Sequence, residues 1–189
     1  TDSTTHFDSG EMKAAKKLND FKKQKIIKLN QSETKEISKL VGSDVILGIN
    51  PTNLILNSKN EIKKFFNYKK IYTLIVKPNF GCSTKYIYSK INKFNKSKLN
   101  KPNKQMFSPK YLKKMSNFLE SIAFSKYSDL KKIKLYLENL PKTLFVRMTG
   151  SGSALVAYFE TKERCDNAKI QFVCNYKNYW CISSKTILI

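Results

Sequence analysis

The 189 residues carry 36 Lys and Arg against 14 Asp and Glu, a formal net charge of +22, with 41% hydrophobic and 12% aromatic residues. This apolar share supports a packed core and excludes a disordered chain, while the positive balance favours polyanions: nucleic acid, an acidic membrane surface or a phosphorylated small molecule. The excess is almost all Lys, with only Arg147 and Arg164 as Arg, so guanidinium clusters for base reading are lacking and no specific nucleic-acid partner is expected.

The opening "TDSTTHFDSG" is polar and aperiodic, a tail or a cut edge without a signal-peptide pattern. "MKAAKKLNDFKKQKIIKL" then spaces Ala15, Leu18 and Phe21, and less regularly Ile26 and Leu29, for a helix over 12–29. In "NQSETKEISKLVGSD", Asn30 with Glu33 three residues later is a capping-box pattern, and Gly42 marks a stop, leaving Asp44 just beyond a helix. "VILGINPTNLILN" reads as two short strands turning at Pro51, followed by the basic "SKNEIKKFFNYKK" and a domain boundary near Tyr68.

The second half begins with a strand, "IYTLIVK", stopped by Pro78. Gly81 turns the chain, and Ser83 or Thr84 caps a helix carrying Tyr86, Ile87 and Ile91. A Lys- and Asn-rich loop, "NKFNKSKLNKPNKQMF", separates this from "SPKYLKKMSNFLESIAFSKY", read as one helix with Ser108 as N-cap and Pro109 in its first turn. "SDLKKIKLYLENL" is a further amphipathic helix. The strands "TLFVRM" and "ALVAYF" flank "TGSGS", and a helix, "TKERCDNAKIQFVCNY", leads to the strand "YWCISSKTILI". This order predicts an α+β fold, an antiparallel sheet covered by helices on one face.

Cys82, Cys165, Cys174 and Cys181 are irregularly spaced without a C-x-x-C pair, and His6 is the single histidine, so no metal site is expected. Reduced thiols and a cytoplasmic location follow as the default, and no apolar run reaches the roughly 20 residues that span a bilayer. Two features carry chemistry. "TGSGS" offers glycine backbone and hydroxyl donors that suit an anion, although a hairpin turn explains it equally well. Asp44 could accept a proton from a hydroxyl, although an Asp after Gly-Ser is more often a turn residue.

Together, "LVGSDVILGINPTNLIL", "LIVKPNFGCSTKYIYSKI", "NFLESIAFSKYSDLKKIKLYLE" and "RMTGSGSALVAYFETKERCDNA" resemble, in order and spacing, the 4-diphosphocytidyl-2-C-methyl-D-erythritol kinases of the GHMP superfamily, from about Met12 onward. The resemblance implies a ferredoxin-like α/β sandwich, the GHMP C-terminal domain, over 69–189, preceded over 1–68 by a remnant of the N-terminal ATP-binding domain. It implies transfer of the γ-phosphoryl group of ATP, with Mg²⁺, to the 2-hydroxyl of 4-diphosphocytidyl-2-C-methyl-D-erythritol, a step of the non-mevalonate isoprenoid pathway. Asp44 matches the family's catalytic base, with Ile46 in place of the customary proline. Gly150, Ser151 and Gly152 match the motif that helps hold the phosphate region, and Thr84, Thr149 and Ser153 match substrate-facing positions.

The chain also departs from the family. In "FDSGEMKAA" Gly10 and the Ala14-Ala15 pair are what remains of the family's ATP phosphate loop, and Glu11 and Lys13 replace its serine and small polar residue. An acidic side chain opposes a phosphate cradle electrostatically. In "NFLE", Phe118 stands where the family has Asp, with a structural effect expected. A truncated, inactive chain is therefore expected, with a separate N-terminal half able to complement it and the apolar faces of its first helices left exposed. The alternative is a non-enzymatic basic domain that binds polyanions through Lys93 to Lys104.

Overall fold

The computed structural model describes residues 10–41, 45–49, 53–56, 62–66, 70–92 and 101–186. The chain divides into two compact units, Thr1–Thr52 and Asn53–Ile189. The sequence reading breaks the chain near Tyr68, whereas compactness groups the hairpin before that residue with the second unit.

In the first unit, helix α1 runs over Gly10–Lys23 and ends earlier than its periodicity suggests. Lys25 adopts φ 58°, and the chain closes with Lys25 N donating to Lys22 O at 3.2 Å and Ile26 N donating to Phe21 O at 2.9 Å. These are the two bonds of a Schellman stop, which satisfies carbonyls that a continuing helix would otherwise use. Helix α2, Gln31–Val41, starts at the expected capping box. Glu33 N donates to Asn30 Oδ1 at 2.9 Å, and Asn30 N donates to Glu33 Oε2 at 2.8 Å.

Val45–Ile49, expected as a strand, is instead the short helix α3. Val45 and Ile49 stand one turn apart and are buried with Ala15, while Leu18 packs alongside. Asn19 Nδ2 donates to Ile49 O at 3.3 Å and so satisfies a carbonyl at the end of the helix. A five-residue helix has little stability of its own, so this packing overrides the β preference of Val and Ile. Ile26, Leu40 and Val41 are exposed.

The second unit opens with an antiparallel hairpin, β1 (Asn53–Leu56) and β2 (Ile62–Phe65), in register Asn53 to Phe65 and Leu56 to Ile62. Its principal sheet contains β3 (Tyr72–Lys77), β4 (Phe145–Met148), β5 (Leu155–Phe159) and β6 (Trp180–Lys185), in the order β4-β5-β3-β6. All neighbours are antiparallel, with Leu74 opposite both Ala157 and Ser183. Numbered within the sheet this order is 2-3-1-4, the split βαβ arrangement of ferredoxin-like folds.

Strand alternation sorts the two faces. Leu74, Val76, Val146, Met148, Leu155, Ala157 and Phe159 share one face and are buried in the main core. Helix α7, Ser128–Asn139, adds Leu130, Ile133 and Leu137. Helix α8, Lys162–Asn175, adds Cys165, Ala168 and Phe172 at matching spacings, after Thr161 has capped it. Burying each large aliphatic or aromatic side chain contributes about 1.5–3 kcal/mol before entropy is counted. On the opposite face Phe145 stacks on Tyr158 with centroids 4.3 Å apart, and Arg147 Nη2 donates to Leu112 O at 3.1 Å.

The helix expected over "SPKYLKKMSNFLESIAFSKY" is two helices, α5 (Pro109–Lys114) and α6 (Leu119–Lys126). Ser108 caps α5 as read from the sequence, but Met115 turns extended, at φ −75° and ψ 148°. The halves serve different cores. Tyr111 packs against Ile55, Phe65 and Met106 beneath the hairpin, while Leu119 and Ala123 enter the main core. Met106 lies in a 3₁₀ turn, Lys104–Phe107, within the segment expected to be a loop. No described helix is long and apolar enough to cross a membrane.

Candidate functional site

The "TGSGS" loop joins β4 to β5, and its small residues are deeply placed rather than solvated. Ser151 is 0% and Ser153 3% exposed. Thr149 N donates to Ala154 O at 3.0 Å, and Gly152 N donates to Thr149 O at 2.9 Å, closing a tight turn inside the longer connection. Gly150 at φ 50° and Gly152 at φ 90° take backbone conformations that L side chains rarely adopt. Gly152 has a second constraint: a Cβ there would lie 3.0 Å from both Cys82 Sγ and Met148 Sδ. The loop is therefore a hairpin connection in which torsion calls for glycine at Gly150 and Gly152 and packing calls for it again at Gly152.

Two other segments converge on it. The first is the turn from β3 into helix α4, Thr84–Ser89, which Ser83 caps through Tyr86 N. Ser153 Oγ donates to Phe80 O at 2.6 Å, and the hydroxyls of Ser151 and Thr84 lie 2.9 Å apart. Tyr127, at the end of α6, holds this turn from outside: its hydroxyl accepts from Ser83 N at 2.9 Å, and its ring stacks on Phe80. Lys126 Nζ stands 3.6 Å above the centre of the Tyr86 ring, placing positive charge beside α4.

The second segment is the break between α5 and α6. Asn117 Nδ2 donates to Met148 O at 3.0 Å and to Gly150 O at 2.7 Å, while Asn117 Oδ1 accepts from Leu119 N at 3.0 Å. Glu120, itself buried, accepts from Met148 N at 2.7 Å and from Lys134 Nζ at 2.6 Å. Residues 117–120 thus bind both polar backbone groups of Met148 and one carbonyl within the loop.

Of the site residues expected from sequence, Thr84, Thr149, Gly150, Ser151, Gly152 and Ser153 come together here. Thr149 Oγ1 is buried without a hydrogen-bond partner among the described residues. Gly10 is the first residue of α1, in the other compact unit. Asp44 lies outside the described residues, as do residues 93–100 of the basic stretch from Lys93 to Lys104. Sequence reasoning passed over Asn117 and Glu120 as parts of this site, and over Phe80, Cys82 and Tyr127. One signal was available: Ser116-Asn117 inside a helical run is a pair of residues that compete for backbone hydrogen bonds and favour helix ends.

The loop and its supports are rich in N–H and O–H donors, of which Thr149 N, Gly152 N, Ser153 Oγ, Ser83 N and Asn117 Nδ2 are engaged within the protein. Glu120 is already bound to Met148 N and Lys134, and no described group of three or more His, Cys, Asp or Glu residues could hold a metal ion.

No family model matches the chain. It is 53% identical over 178 residues to the 4-diphosphocytidyl-2-C-methyl-D-erythritol kinase of Pelagibacter ubique, a match covering 94% of this chain and 63% of that relative. The enzyme of the same name from Clostridium tetani is 32% identical over 168 residues, covering 84% of this chain and 58% of the relative. The chain thus spans less than two thirds of the length of these curated relatives. Among solved structures, a 4-(cytidine 5'-diphospho)-2C-methyl-D-erythritol kinase matches with a TM-score of 0.73 at 18% identity, over 92% of this chain and 64% of that one. A homoserine kinase from Cytophaga hutchinsonii matches with a TM-score of 0.51 at 13% identity, over 76% and 50% of the two chains. At these identities the solved structures speak to the fold alone, which is that of GHMP kinases. The chain is therefore similar over nearly all of its own length to 4-diphosphocytidyl-2-C-methyl-D-erythritol kinases, and it shares its fold with a solved kinase of this kind.

Proposed function

We propose that this chain is the part of a 4-diphosphocytidyl-2-C-methyl-D-erythritol kinase that carries the acceptor-activating residue and the glycine loop beside the transferred phosphoryl group. The observation that carries the proposal is the 53% identity across 94% of the chain to a relative of that name. The arrangement of the loop is consistent with it: a turn of small residues built on two glycines at positive φ.

In this reading Asp44 takes the proton from the acceptor 2-hydroxyl, which makes the oxygen nucleophilic as it meets the γ-phosphorus of ATP. Gly150, Ser151 and Gly152 are assigned to the phosphate side as a preorganised turn, with Gly152 N–H held on Thr149 O and therefore shaping the loop rather than donating to the ligand. Thr84, Thr149 and Ser153 are assigned to the acceptor side, and Gly10 to what the chain retains of the ATP loop. Mg²⁺ would neutralise phosphate charge and is assigned to the nucleotide, as this ion usually keeps substrate phosphates and water as ligands. The proposed location is cytoplasmic, with complementation by a separate N-terminal half.

The test uses the product of the complete reading frame that encodes these residues, assayed for ADP release with ATP, Mg²⁺ and the acceptor. Acceptor-dependent release that falls by about 10²–10⁴ in Asp44→Asn supports the proposal. Release that ignores the acceptor, or an Asp44→Asn variant as fast as the parent, rejects it. The 189-residue chain mixed with the N-terminal half of the Pelagibacter relative tests complementation directly.

A further inference from the structure

We infer that Arg147 and Lys113 form a binding site for a phosphate dianion, free or as the monoester of a small molecule, in a cavity at the free edge of β4. No residue of the glycine loop lines this cavity, and the site does not depend on the kinase reading.

Of the 36 basic residues only Arg147 and Arg164 are arginine. Lys is the ordinary cation of this chain, so a guanidinium marks a place where its planar fork of donors matters. Arg164 has a partner four residues away, with Nη1 donating to Glu160 Oε2 at 2.8 Å. Arg147 has no carboxylate partner among the described residues. Its Nη2 donates to Leu112 O at 3.1 Å, and its Cζ stands 5.8 Å from the centre of the Phe145 ring, two residues back on the same face of the sheet. These contacts hold the group in place, and the rest of its five N–H donors remain for an outside acceptor. Arg147 is only half-buried, so that acceptor can reach it.

The cavity beside it measures about 280 Å³ and is lined by Phe145 and Arg147 of β4, Thr143 before them, Lys113 of α5, and Lys134 and Glu138 of α7. Strand β4 ends the sheet, so no further strand fills this space. Both nearby carboxylates are drawn to Lys134, Glu120 Oε2 at 2.6 Å and Glu138 Oε1 at 3.6 Å. Thr143 offers no free donor, because its hydroxyl donates to Leu137 O at 3.0 Å. Lys113 is exposed and, like Arg147, has no carboxylate partner among the described residues. Two unpaired cations therefore face one cavity and repel each other. A dianion satisfies both at once, with the fork of Arg147 matched to two phosphate oxygens and Lys113 acting as a point charge.

The Nε–Hε resonances of Arg147 and Arg164 are followed in the complete reading-frame product during titration with inorganic phosphate at constant ionic strength. Arg147 is expected to move and to saturate by about 10 mM phosphate while Arg164 stays in place. Methyl phosphate in a second arm separates the two sources: the tighter of the two probes shows whether the site takes free phosphate or an ester. Acetate, a monoanion, is expected to bind at least about tenfold more weakly, and equal affinity would overturn the assignment to a dianion.

Lys113→Gln should weaken phosphate binding about fivefold, and Glu138→Gln, which removes the carboxylate facing the cavity, should tighten it about twofold or more. Both side chains reach solvent, so neither change threatens the core. Arg147→Lys keeps the charge and loses the fork, and should abolish most of the rise in melting temperature that phosphate gives the parent. If Arg147→Lys does not fold, the Lys113 and Glu138 variants decide alone. No saturable movement of Arg147, equal movement of Arg147 and Arg164, or an affinity unchanged in both Gln variants overturns the inference.

Discussion

Ser151 Oγ lies 2.9 Å from Thr84 Oγ1, joining the glycine loop to the first turn of α4 across 67 residues of sequence. Ser151 is fully buried, so its hydroxyl cannot exchange this contact for bulk water. Ser151→Ala and Thr84→Val should each reduce stability by about 1 kcal/mol, and the double variant by less than the sum, because both singles remove the same contact. Urea unfolding of the four proteins measures the coupling, and strict additivity would show the pair to be energetically unlinked.

Gly152 and Gly81 make a controlled pair. Gly152→Ala places a methyl group against Cys82 and Met148 in a backbone conformation of φ 90°, whereas a Cβ at Gly81 meets nothing within 4 Å. The first substitution should cost about 1–3 kcal/mol and the second less than about 0.5 kcal/mol. Thermal denaturation compares them, and equal losses would contradict the packing described beneath the loop.

Glu120 carries two obligations, the Met148 N–H and the Lys134 ammonium. Both members of the ion pair are largely shielded, with side-chain exposures of 17% for Lys134 and 11% for Glu120. Glu120→Ala leaves Lys134 with its longer contact to Glu138 Oε1 at 3.6 Å and Met148 N without its acceptor, and should cost about 2–3 kcal/mol, whereas Glu120→Gln retains an acceptor for Met148 and should cost less. A melting temperature lowered equally by both would indicate that shape, not pairing, sets the effect.

Burial raises the Tyr158 hydroxyl above its ordinary pKa, against a smaller opposing effect of Arg147, and burial likewise raises the Cys165 thiol. Both groups hold their protons more tightly when folded, so their contribution is complete below the unfolded pKa values and is lost as pH rises through the folded ones. Stability should therefore fall progressively above about pH 9, first through Cys165 and then through Tyr158. Urea midpoints between pH 7 and pH 11 measure the loss. Tyr158→Phe should flatten its upper part, and an unchanged curve in that variant would exclude Tyr158 as a source.

What could be read locally was read correctly. The Asn30 and Glu33 capping box, the Ser83, Ser108 and Thr161 caps, and the periodicities of α7 and α8 involve residues close in sequence, whose hydrogen bonds and faces follow from spacing alone. The misreadings share a cause. Val45–Ile49 has strand-forming composition but is helical because it packs on Ala15 and Leu18. "SPKYLKKMSNFLESIAFSKY" has an unbroken helical period, but its two halves bury against different cores. Local pattern is silent about which partner a face will meet.

The sequence by itself determined the antiparallel α+β architecture, the resemblance to GHMP kinases and the likeness of "TGSGS" to an anion-binding loop, because these reside in residue type, order and short spacing. Only the tertiary structure decided that residues 80–84 and 117–120 close on that loop from two directions, with Asn117 reaching Gly150 across 33 residues and Ser153 reaching Phe80 across 73. Such contacts follow from the sheet order, which sets β3 beside β5 and brings the connections at their ends together. A hydrogen bond between distant residues has no signature in either one until the core that aligns them has formed.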